Sequence, residues 1–270
     1  MSEILLATLN ARYVHAALGL RYLLANLGDL QDRARIREFV IGQRSEDIAE
    51  QILRERPAIL GLGVYIWNVQ ETTRLVGLLK RVAPELKIVL GGPEVSYEHD
   101  AQPIVALADH VITGWGDLSF AKLVRQLLAG ESAPKITAGE QSPLAAIAMP
   151  YALYSDEDLH KRHIYVEASR GCPFKCEFCL SALDATAWPF PLDAFMGELA
   201  TLYQRGARHF KFVDRTFNLK IDTSLRILEF FLECLRQAPD DPVFVHFELI
   251  PDHLPERLKV VIAEFPPGTL

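Results

Sequence analysis

A regular alternation of short apolar runs and amphipathic segments over residues 1–130 leaves few folds open to this part of the chain. Five apolar runs have the length and composition of buried parallel strands, and they lie at residues 4–9, 35–41, 59–66, 87–90 and 110–113. The intervening segments repeat apolar residues at the spacing of a helix face, as in residues 20–27. Five βα units in this order predict an α/β domain with a flavodoxin-like, doubly wound parallel sheet.

Glycines and prolines interrupt this rhythm over residues 131–162, which we interpret as a linker. A second βα series follows over residues 163–270. Its predicted strands are residues 164–169, 209–213 and 243–248, and its predicted helices are residues 192–203, 224–235 and 254–265. A closed barrel of βα units needs about six to eight strands. Three strands therefore predict an incomplete (β/α) barrel, as expected if the chain is truncated inside this second domain.

Composition and charge narrow the classes of partner. The 270 residues carry a formal net charge of −7, and half of them are hydrophobic, which favours a packed core over disorder. An acidic chain lacks long-range attraction to phosphate backbones, so we expect no nucleic-acid partner. No apolar stretch reaches the roughly 18–20 residues of a membrane helix, and the first residues lack the basic leader of a signal peptide. We therefore expect a cytoplasmic protein that does not bind a membrane.

The four cysteines are unevenly distributed, because Cys172, Cys176 and Cys179 lie within eight residues. A disulfide framework would spread its cysteines along the chain, and the reducing cytosol would not maintain it. Clustered thiols in a chain of this length point to a metal centre. Cys234 stands apart on a predicted helix face with Ile227 and Phe231, and we interpret it as a small core residue.

The three clustered cysteines follow a predicted strand, with three and then two residues between them. Thiolates are the ligands of iron–sulfur clusters, and three thiolates on a cube of four irons leave one iron open. An open iron can chelate the amino and carboxylate groups of an amino acid. A structural zinc site is the alternative, but zinc takes four ligands, usually from two pairs. His160 or His163 would have to supply the fourth ligand, and both precede the strand.

The Cys-x3-Cys-x2-Cys spacing, with the aromatic Phe178 before the last cysteine and Ser169-Arg-Gly before the first, resembles the radical S-adenosylmethionine (SAM) superfamily. The resemblance implies that Cys172, Cys176 and Cys179 hold a [4Fe–4S] cluster and act as catalytic residues. It also implies that the open iron binds SAM next to Phe178, and that reductive cleavage yields a 5′-deoxyadenosyl radical. The electron would come from a reductant such as flavodoxin or ferredoxin.

Three further residues are expected to contact SAM. Asp214 and Arg215 end the second strand of the second series, where radical SAM proteins contact the methionine amine. They replace the common Gly-Gly-Glu of that position, and the Asp-bearing version resembles the cobalamin-associated branch of the superfamily. Glu248 ends the third strand and is a candidate contact to substrate or ribose, with a solvated strand end as the alternative.

Unusual residues also follow the strands of the first domain, at the edge where doubly wound sheets bind ligands. They are Asn10 and His15 after the first strand, Tyr65, Trp67 and Asn68 after the third, Gly91, Gly92 and Pro93 after the fourth, and Gly114 after the fifth. A flavodoxin-like domain before a radical SAM domain resembles the cobalamin-binding class B enzymes. The resemblance implies that these residues bind cobalamin, with the corrin ring beside residues 65–68 and the nucleotide tail at the glycine turn of residues 91–93.

The sequence leaves the lower cobalt ligand open. The family's Asp-x-His-x-x-Gly motif does not occur as such, and the nearest segment, residues 10–19, has a different spacing. His15 is the candidate ligand in that segment, and a place near the start of the first helix is its alternative role. Likewise, the aromatic residues 65 and 67 either flank the corrin or pack at a domain interface.

Together these features predict a radical SAM enzyme that uses a [4Fe–4S] cluster, SAM and cobalamin, with methyl transfer to an unactivated carbon or phosphorus as the implied reaction. The substrate, a small molecule or a peptide, is not identified by the sequence. Two alternatives stay open: a first domain that serves as a docking module without a corrin, and a zinc or iron–sulfur protein without radical chemistry. Methylthiotransferases share the domain order, but their pattern has three further cysteines in the first domain. Residues 1–171 of this chain contain no cysteine, which argues against that family.

Overall fold

The computed structural model describes residues 3–184, 186–252 and 254–270. The chain divides into two compact units, of which the first comprises residues 1–142 with 146–153 and the second comprises residues 143–145 with 154–270. Within the described ranges, no helix combines the length and the apolar character that crossing a membrane requires.

Among its described residues, the first unit contains a six-stranded parallel sheet. Its strands are β1 (Ile4–Asn10), β2 (Ala34–Val40), β3 (Ile59–Gly63), β4 (Lys87–Gly91), β5 (His110–Thr113) and β6 (Ile136–Ala138). Its helices are α1 (Leu18–Ala25), α2 (Ser45–Arg54), α3 (Val69–Val82), α4 (Pro103–Leu107) and α5 (Asp117–Leu128). The spatial order β2-β1-β3-β4-β5-β6 is the flavodoxin-like order with one added edge strand, which confirms the predicted fold class.

The sheet is the centre of this unit because β1 is buried along its whole length. Its side chains alternate between two apolar layers: Leu5, Ala7 and Leu9 pack with α2 and α3, whereas Ile4 and Leu6 pack with α1 and α5. Continuous apolar strands of this kind are typical of parallel sheets that are covered on both faces. Because the strands are parallel, the carboxyl ends of β1, β3, β4 and β5 meet at one edge, where the connecting loops begin.

The sequence predicts no strand between residues 131 and 162, but the structure places β6 there, together with a short helix, α6 (Asp156–Lys161). β6 pairs with β5 through three residues only. Three residues at a sheet edge are too few to show a period in the sequence. Gly139 follows β6 in a close approach, because a Cβ at this position would lie 2.1 Å from the carbonyl oxygen of Trp115.

The described part of the second unit contains a three-stranded parallel sheet and a hairpin. Its strands are β7 (Ile164–Val166), β8 (Ser169–Gly171), β9 (Ala187–Pro189), β10 (His209–Phe212) and β11 (Phe244–His246), and its helices after α6 are α7 (Leu192–Gln204), α8 (Ile221–Gln237) and α9 (Glu256–Ala263). The parallel sheet has the order β11-β10-β7, as expected for consecutive βα units. β8 pairs antiparallel with β9, so the strand predicted over residues 164–169 is divided at residues 167–168.

Aromatic side chains form the core of the second unit. Phe212 of β10 contacts Phe195 of α7 and Phe231 of α8, with ring centroids 6.0 Å and 6.2 Å apart. Cys234 lies about one turn after Phe231 and is buried, which confirms its interpretation as a core residue. Burial raises the pKa of its thiol to about 11, which disfavours the thiolate form.

Candidate functional site

The three clustered cysteines lie on the loop that leaves the hairpin strand β8. Cys172 follows β8 directly and is buried, Cys179 is half-buried, and Cys176 is exposed. The backbone N–H of Cys179 donates to the carbonyl oxygen of Cys176 at 3.0 Å, which makes the end of the loop a tight turn. Phe178 lies inside that turn and is 94% exposed, so its ring is available to a ligand.

Lys175 lies between the first two cysteines and ties their loop to the segment that follows it. Its ammonium donates hydrogen bonds to the carbonyl oxygens of Ala182, at 2.7 Å, and Asp184. The Asp184 carboxyl in turn accepts a hydrogen bond from the backbone N–H of Cys172, although burial raises the pKa of this carboxyl. Lys175 was not predicted, because in the sequence only the thiols of the motif point to a metal centre.

Gly171 determines how the chain passes from β8 into the cysteine loop. Its φ of +86° lies in the region that favours glycine. A Cβ at this position would lie 2.3 Å from the carbonyl oxygen of Thr186 and 2.7 Å from the ring of Trp188. Both contacts come from the opposite side of the hairpin, so a side chain at residue 171 would push β8 away from β9 directly before Cys172.

The two histidines of the zinc alternative lie elsewhere in the second unit. The Nδ1 atom of His160 lies 2.6 Å from the carbonyl oxygen of Asp156, and its ring faces Gly206. His163 packs edge-on against His209, with ring centroids 5.9 Å apart. His209 begins β10, so His163 lies toward the amino ends of the strands, whereas the cysteine loop follows their carboxyl ends.

In residues 3–184, 186–252 and 254–270, no three His, Cys, Asp or Glu side chains lie close enough together to hold a single metal ion. The fit of a [4Fe–4S] cluster therefore rests on the chemistry of the donors. Three thiols on one loop, with an exposed ring among them, match the ligand set of a cube that keeps one iron for another ligand.

Asp214 is buried beside the segment that precedes the cysteine loop. It is 2% exposed, and its carboxylate accepts hydrogen bonds from the backbone N–H of Ala168, at 2.9 Å, and from the hydroxyl of Ser169, at 2.6 Å. Burial raises the pKa of this carboxyl to about 6, assisted by the charge of Glu167 and opposed by the hydrogen bonds. The structure thus places Asp214 against the segment that leads to Cys172.

Arg215 and Glu248 come together at the surface of the second unit, where their side chains form an ion pair at 3.7 Å. Both are about half exposed, so they remain accessible to a polar ligand. Asn218 fixes this end of the sheet, because its amide donates to the carbonyl oxygen of Ile250 at 2.7 Å and accepts from the Ile250 N–H at 2.9 Å. The sequence gives no signal for this pair, since the partners are 32 residues apart.

The raised pKa of Asp214 predicts a specific pH dependence of stability. Between its unfolded pKa of 3.8 and its folded pKa of about 6, the folded state holds this proton more tightly, so stability falls as the pH rises through that window. We expect the Asp214→Asn variant to lack this slope. Urea unfolding measures the free energy of unfolding of both proteins. The difference, variant minus wild type, should be about 2 kcal/mol larger at pH 7.5 than at pH 4.5. If stability depended on pH equally in the two proteins, Asp214 would not be the group whose pKa is raised by folding.

In the first unit, Asn10 ends β1 and organises the turn that follows. Its amide donates to the carbonyl oxygen of His15 at 2.8 Å and to Glu38 at 3.0 Å. Glu38 also forms a buried ion pair with Arg21, at 3.1 Å. Burial acts to raise the pKa of Glu38, but Arg21 and the hydrogen bonds outweigh it and hold the pKa below its usual value. Asn10 therefore positions the backbone of His15, whose side chain is half-buried.

Tyr65 and Trp67 form a rigid aromatic stack after β3, with ring centroids 4.5 Å apart and planes within 7°. The indole N–H of Trp67 donates to the carbonyl oxygen of Leu9 at 3.3 Å, which joins the stack to the end of β1. Trp67 is 47% exposed and Ile66, beside it, is 78% exposed. Rigid rings with an open apolar surface suit contact with a flat macrocycle.

Asn68 lies below this surface and is fully buried. Its amide donates to the carbonyl oxygens of Leu9, at 3.0 Å, and Gly63, at 3.2 Å, and it accepts from the backbone N–H of Tyr65 at 2.8 Å. Its hydrogen-bonding groups are therefore used by protein. In the structure, the Asn68 amide holds residues 65–67 in position through hydrogen bonds, whereas the sequence predicted that it contacts the corrin.

The glycine turn after β4 is packed against the end of β3. Gly92 has φ +112° and ψ +169°, and a Cβ there would lie 2.4 Å from the carbonyl oxygen of Val64. The Val64 N–H donates to the carbonyl oxygen of Gly91 at 2.8 Å. The Ser96 hydroxyl donates to the carbonyl oxygen of Gly92 at 2.8 Å and accepts from the Gly114 N–H at 3.0 Å. One hydroxyl thus joins the turn to the end of β5.

Two remaining residues complete this edge of the first unit. Pro93 begins a short 3-10 turn (Pro93–Val95) directly after the glycine pair. Gly114 has φ +70°, and no atom lies within 4 Å of the position of a Cβ, so the end of β5 is open. The structure therefore brings all the residues predicted for cobalamin to the carboxyl edge of one sheet. Glu38, Arg21 and Ser96, which hold that edge in place, were not predicted.

The chain matches one protein-family model and several curated proteins. Residues 4–124 match the family model of the B12 binding domain. An uncharacterized methyltransferase of Pyrococcus horikoshii is 27% identical over 78% of this chain and 52% of its own length. The cobalamin-dependent radical SAM methyltransferase TokK of Streptomyces tokunonensis is 25% identical over 50% of this chain and 23% of its own length. The chain thus spans about half the length of the first relative and less of the second.

Solved structures match both units. The radical SAM methyltransferase TsrM of Kitasatospora setae, with cobalamin and a [4Fe-4S] cluster bound, gives a TM-score of 0.70 at 16% identity, over 98% of this chain and 59% of TsrM. The cobalamin-dependent SAM radical enzyme OxsB, with aqua-cobalamin bound, gives 0.67 at 15% identity, over 97% of this chain and 41% of OxsB. Likeness at these identities shows a shared fold over both units, and the B12 binding domain model matches the first of them.

Proposed function

We propose that this chain, whose residues 4–124 match the family model of the B12 binding domain, is the cofactor-binding part of a cobalamin-dependent radical SAM methyltransferase. The observation that carries the proposal is the presence of two sites in one chain. One is a loop with three thiols after a strand of the second unit. The other is the open apolar edge of a sheet in the first unit, built on residues that match the B12 binding domain model.

In the second unit, Cys172, Cys176 and Cys179 are proposed to hold a [4Fe–4S] cluster, and Lys175 keeps their loop folded through backbone carbonyls. Arg215 and Glu248 offer an exposed pair of opposite charges, which suits the carboxylate and the ammonium or ribose groups of SAM. Phe178 offers an exposed ring for the adenine or the sulfonium. With the cluster, SAM supplies the 5′-deoxyadenosyl radical and cobalamin carries the methyl group.

In the first unit, the stack of Tyr65 and Trp67 is proposed to face the corrin and to exclude water from one side of it. The open end of β5 at Gly114 leaves room for the nucleotide tail, and Gly92 lets the neighbouring turn pack closely against Val64. His15, held by Asn10 through its backbone, is the candidate lower ligand of cobalt. The methyl acceptor is proposed to be a small molecule or a peptide, and the electron donor a cytoplasmic flavodoxin or ferredoxin.

The proposal is tested by anaerobic reconstitution with iron, sulfide and hydroxocobalamin, followed by desalting. We expect about four irons for each chain, a corrin absorption band that stays with the protein, and an EPR signal of the reduced cluster that shifts when SAM is added. The shift is the decisive measurement, because a cluster with four protein ligands has no iron for SAM.

Each part of the proposal fails separately. A cluster that shifts with SAM in a protein that retains no corrin would make the first unit a docking module. Tight uptake of one zinc ion without a cube would make the loop structural and exclude radical chemistry.

A further inference from the structure

Asp214 stands at the end of β10, but its contacts are with the connection between β7 and β8. The carboxylate accepts from the Ala168 N–H at 2.9 Å and from the Ser169 hydroxyl at 2.6 Å. Ala168 and Ser169 precede Cys172 by four and three residues. The first thiol of the loop is therefore joined to the parallel sheet through two hydrogen bonds and the short strand β8.

The same connection is held by contacts from its other side. Glu167 and Arg170 form an ion pair at 2.7 Å with both side chains largely buried. The backbone N–H of Phe190 donates to the carbonyl oxygen of Ala168 at 2.9 Å, and its ring lies under the guanidinium of Arg170. These contacts tie residues 167–170 to the hairpin, whereas Asp214 ties them to β10.

We propose that Asp214 is a positioning residue for the cysteine loop, which acts by hydrogen bonding to Ala168 and Ser169 and not by presenting its charge to a ligand. The inference rests on the proposed function and departs from the sequence expectation that Asp214 contacts SAM. Its exposure of 2% supports this role, because a carboxylate at that depth offers almost no surface to a nucleotide.

Two substitutions of Asp214 separate the effect of its hydrogen bonds from the effect of its charge. In Asp214→Asn, the amide oxygen can face the Ala168 N–H, and the amide nitrogen then faces Ser169, whose hydroxyl can rotate to accept. The neutral variant therefore keeps both contacts. Asp214→Ala loses both contacts and leaves the N–H of the buried Ala168 without its acceptor.

The experiment compares the Asp214→Asn, Asp214→Ala and Ser169→Ala variants of the whole chain after anaerobic reconstitution. Asp193→Ala is the matched control, because this aspartate of the second unit is 88% exposed and lies on α7, where it pairs with Arg226 of α8 at 2.7 Å. The readouts are the iron content, the EPR spectrum of the reduced cluster and the SAM concentration that produces half of the spectral shift. Circular dichroism checks the fold of each variant.

We expect Asp214→Asn and the control to match the wild type in iron content and in SAM affinity within about threefold. Asp214→Ala should bind iron about 10–100-fold more weakly, as is typical when a group that orients a metal ligand is removed. Ser169→Ala keeps the Ala168 contact and should show a smaller loss together with an altered EPR line shape. It provides the test if Asp214→Ala does not fold.

Two results would overturn the inference while the proposed function stands. The first is an Asp214→Asn variant with a normal cluster and a SAM affinity lowered by more than about tenfold, which would show that the charge contacts the nucleotide. The second is an unchanged cluster in both Asp214→Ala and Ser169→Ala. Failure of the wild type itself to form a cluster would be a failure of the proposed function, and it is distinguishable because it does not depend on the variants.

Discussion

Replacing Cys172, Cys176 or Cys179 by alanine, one at a time, is expected to reduce cluster content to less than about one tenth of that of the wild type. Two thiolates cannot hold a cube of four irons against exchange into solution, and the structure offers no neighbouring cysteine, because the buried Cys234 lies on α8. Iron and sulfide analysis after anaerobic reconstitution and desalting measures the effect. The EPR signal of the reduced cluster, with and without SAM, should disappear in parallel.

Cys234→Ala is the control, because it removes a thiol of the same unit without touching the loop. Cys234 is buried on α8, and burial raises the pKa of its thiol to about 11, which disfavours the thiolate. We expect normal iron content and a loss of stability of about 1 kcal/mol from the lost packing. An equal loss of iron in all four variants would point to general unfolding, and full iron content in any loop variant would contradict the ligand assignment.

The three loop variants should differ in their stability without iron. Cys176 is exposed, so its replacement removes no packing, and the melting temperature of the iron-free protein should be unchanged. Cys172 is buried and follows the hairpin strand, so Cys172→Ala should lower it by a few degrees. Equal iron loss with unequal stability would show that the thiols act as ligands, independently of the fold.

The sheet of the first unit could be predicted because its strands are buried on both faces. β1, for example, reads as a continuous apolar run, and the parallel order then follows from the intervening helices. The same reasoning predicted the edge at which Asn10, Tyr65, Trp67 and Gly92 meet, because all parallel strands end on the same side. The edge strand β6 escaped prediction since its three residues show no period.

The neighbours Asp214 and Arg215 show where sequence reasoning stops. Both were expected to contact SAM, but one is buried and the other is exposed and paired with Glu248. The alternation of strand faces ends at Phe212, the last residue of β10, so no period says which way the next side chains point. Asp214 is held by Ser169, 45 residues away, and Arg215 is paired with Glu248, and such remote contacts leave no trace in a single sequence.

Asn68 shows the same limit on the first unit. An amide after a strand is a natural ligand contact, and the sequence alone supports that interpretation. The structure instead uses this amide to join the ends of β1 and β3, which indirectly fixes the aromatic stack. Residue type and strand end were therefore sufficient to locate the edge, but not to separate residues that face a ligand from residues that support them.

Gly92→Ala is expected to weaken cobalamin binding by at least about tenfold while the cluster forms normally. The backbone of Gly92, with φ +112° and ψ +169°, lies in a region that is essentially restricted to glycine, so alanine costs about 1–3 kcal/mol in strain alone. The added Cβ would also lie 2.4 Å from the carbonyl oxygen of Val64. The turn must then move, and the Ser96 hydroxyl can no longer keep its hydrogen bonds to both Gly92 and Gly114.

Gly130→Ala is the matched control for this prediction. Gly130 has φ +74°, also in the left-handed region, but no atom lies within 4 Å of the position of its Cβ. It follows α5 and precedes β6, away from the carboxyl edge of the sheet. Its replacement should therefore cost about 1–2 kcal/mol of stability and leave cobalamin binding unchanged.

Titration of hydroxocobalamin, followed by the corrin absorption that remains after desalting, separates the two variants. Because the cysteines lie in the other unit, iron content and the SAM-dependent EPR shift should be the same in both. Equal loss of corrin in Gly92→Ala and Gly130→Ala would attribute the effect to backbone strain and not to the shape of the turn. Normal cobalamin binding by Gly92→Ala would show that the nucleotide tail does not bind at residues 91–93. The stack of Tyr65 and Trp67 would then be the next contact to test.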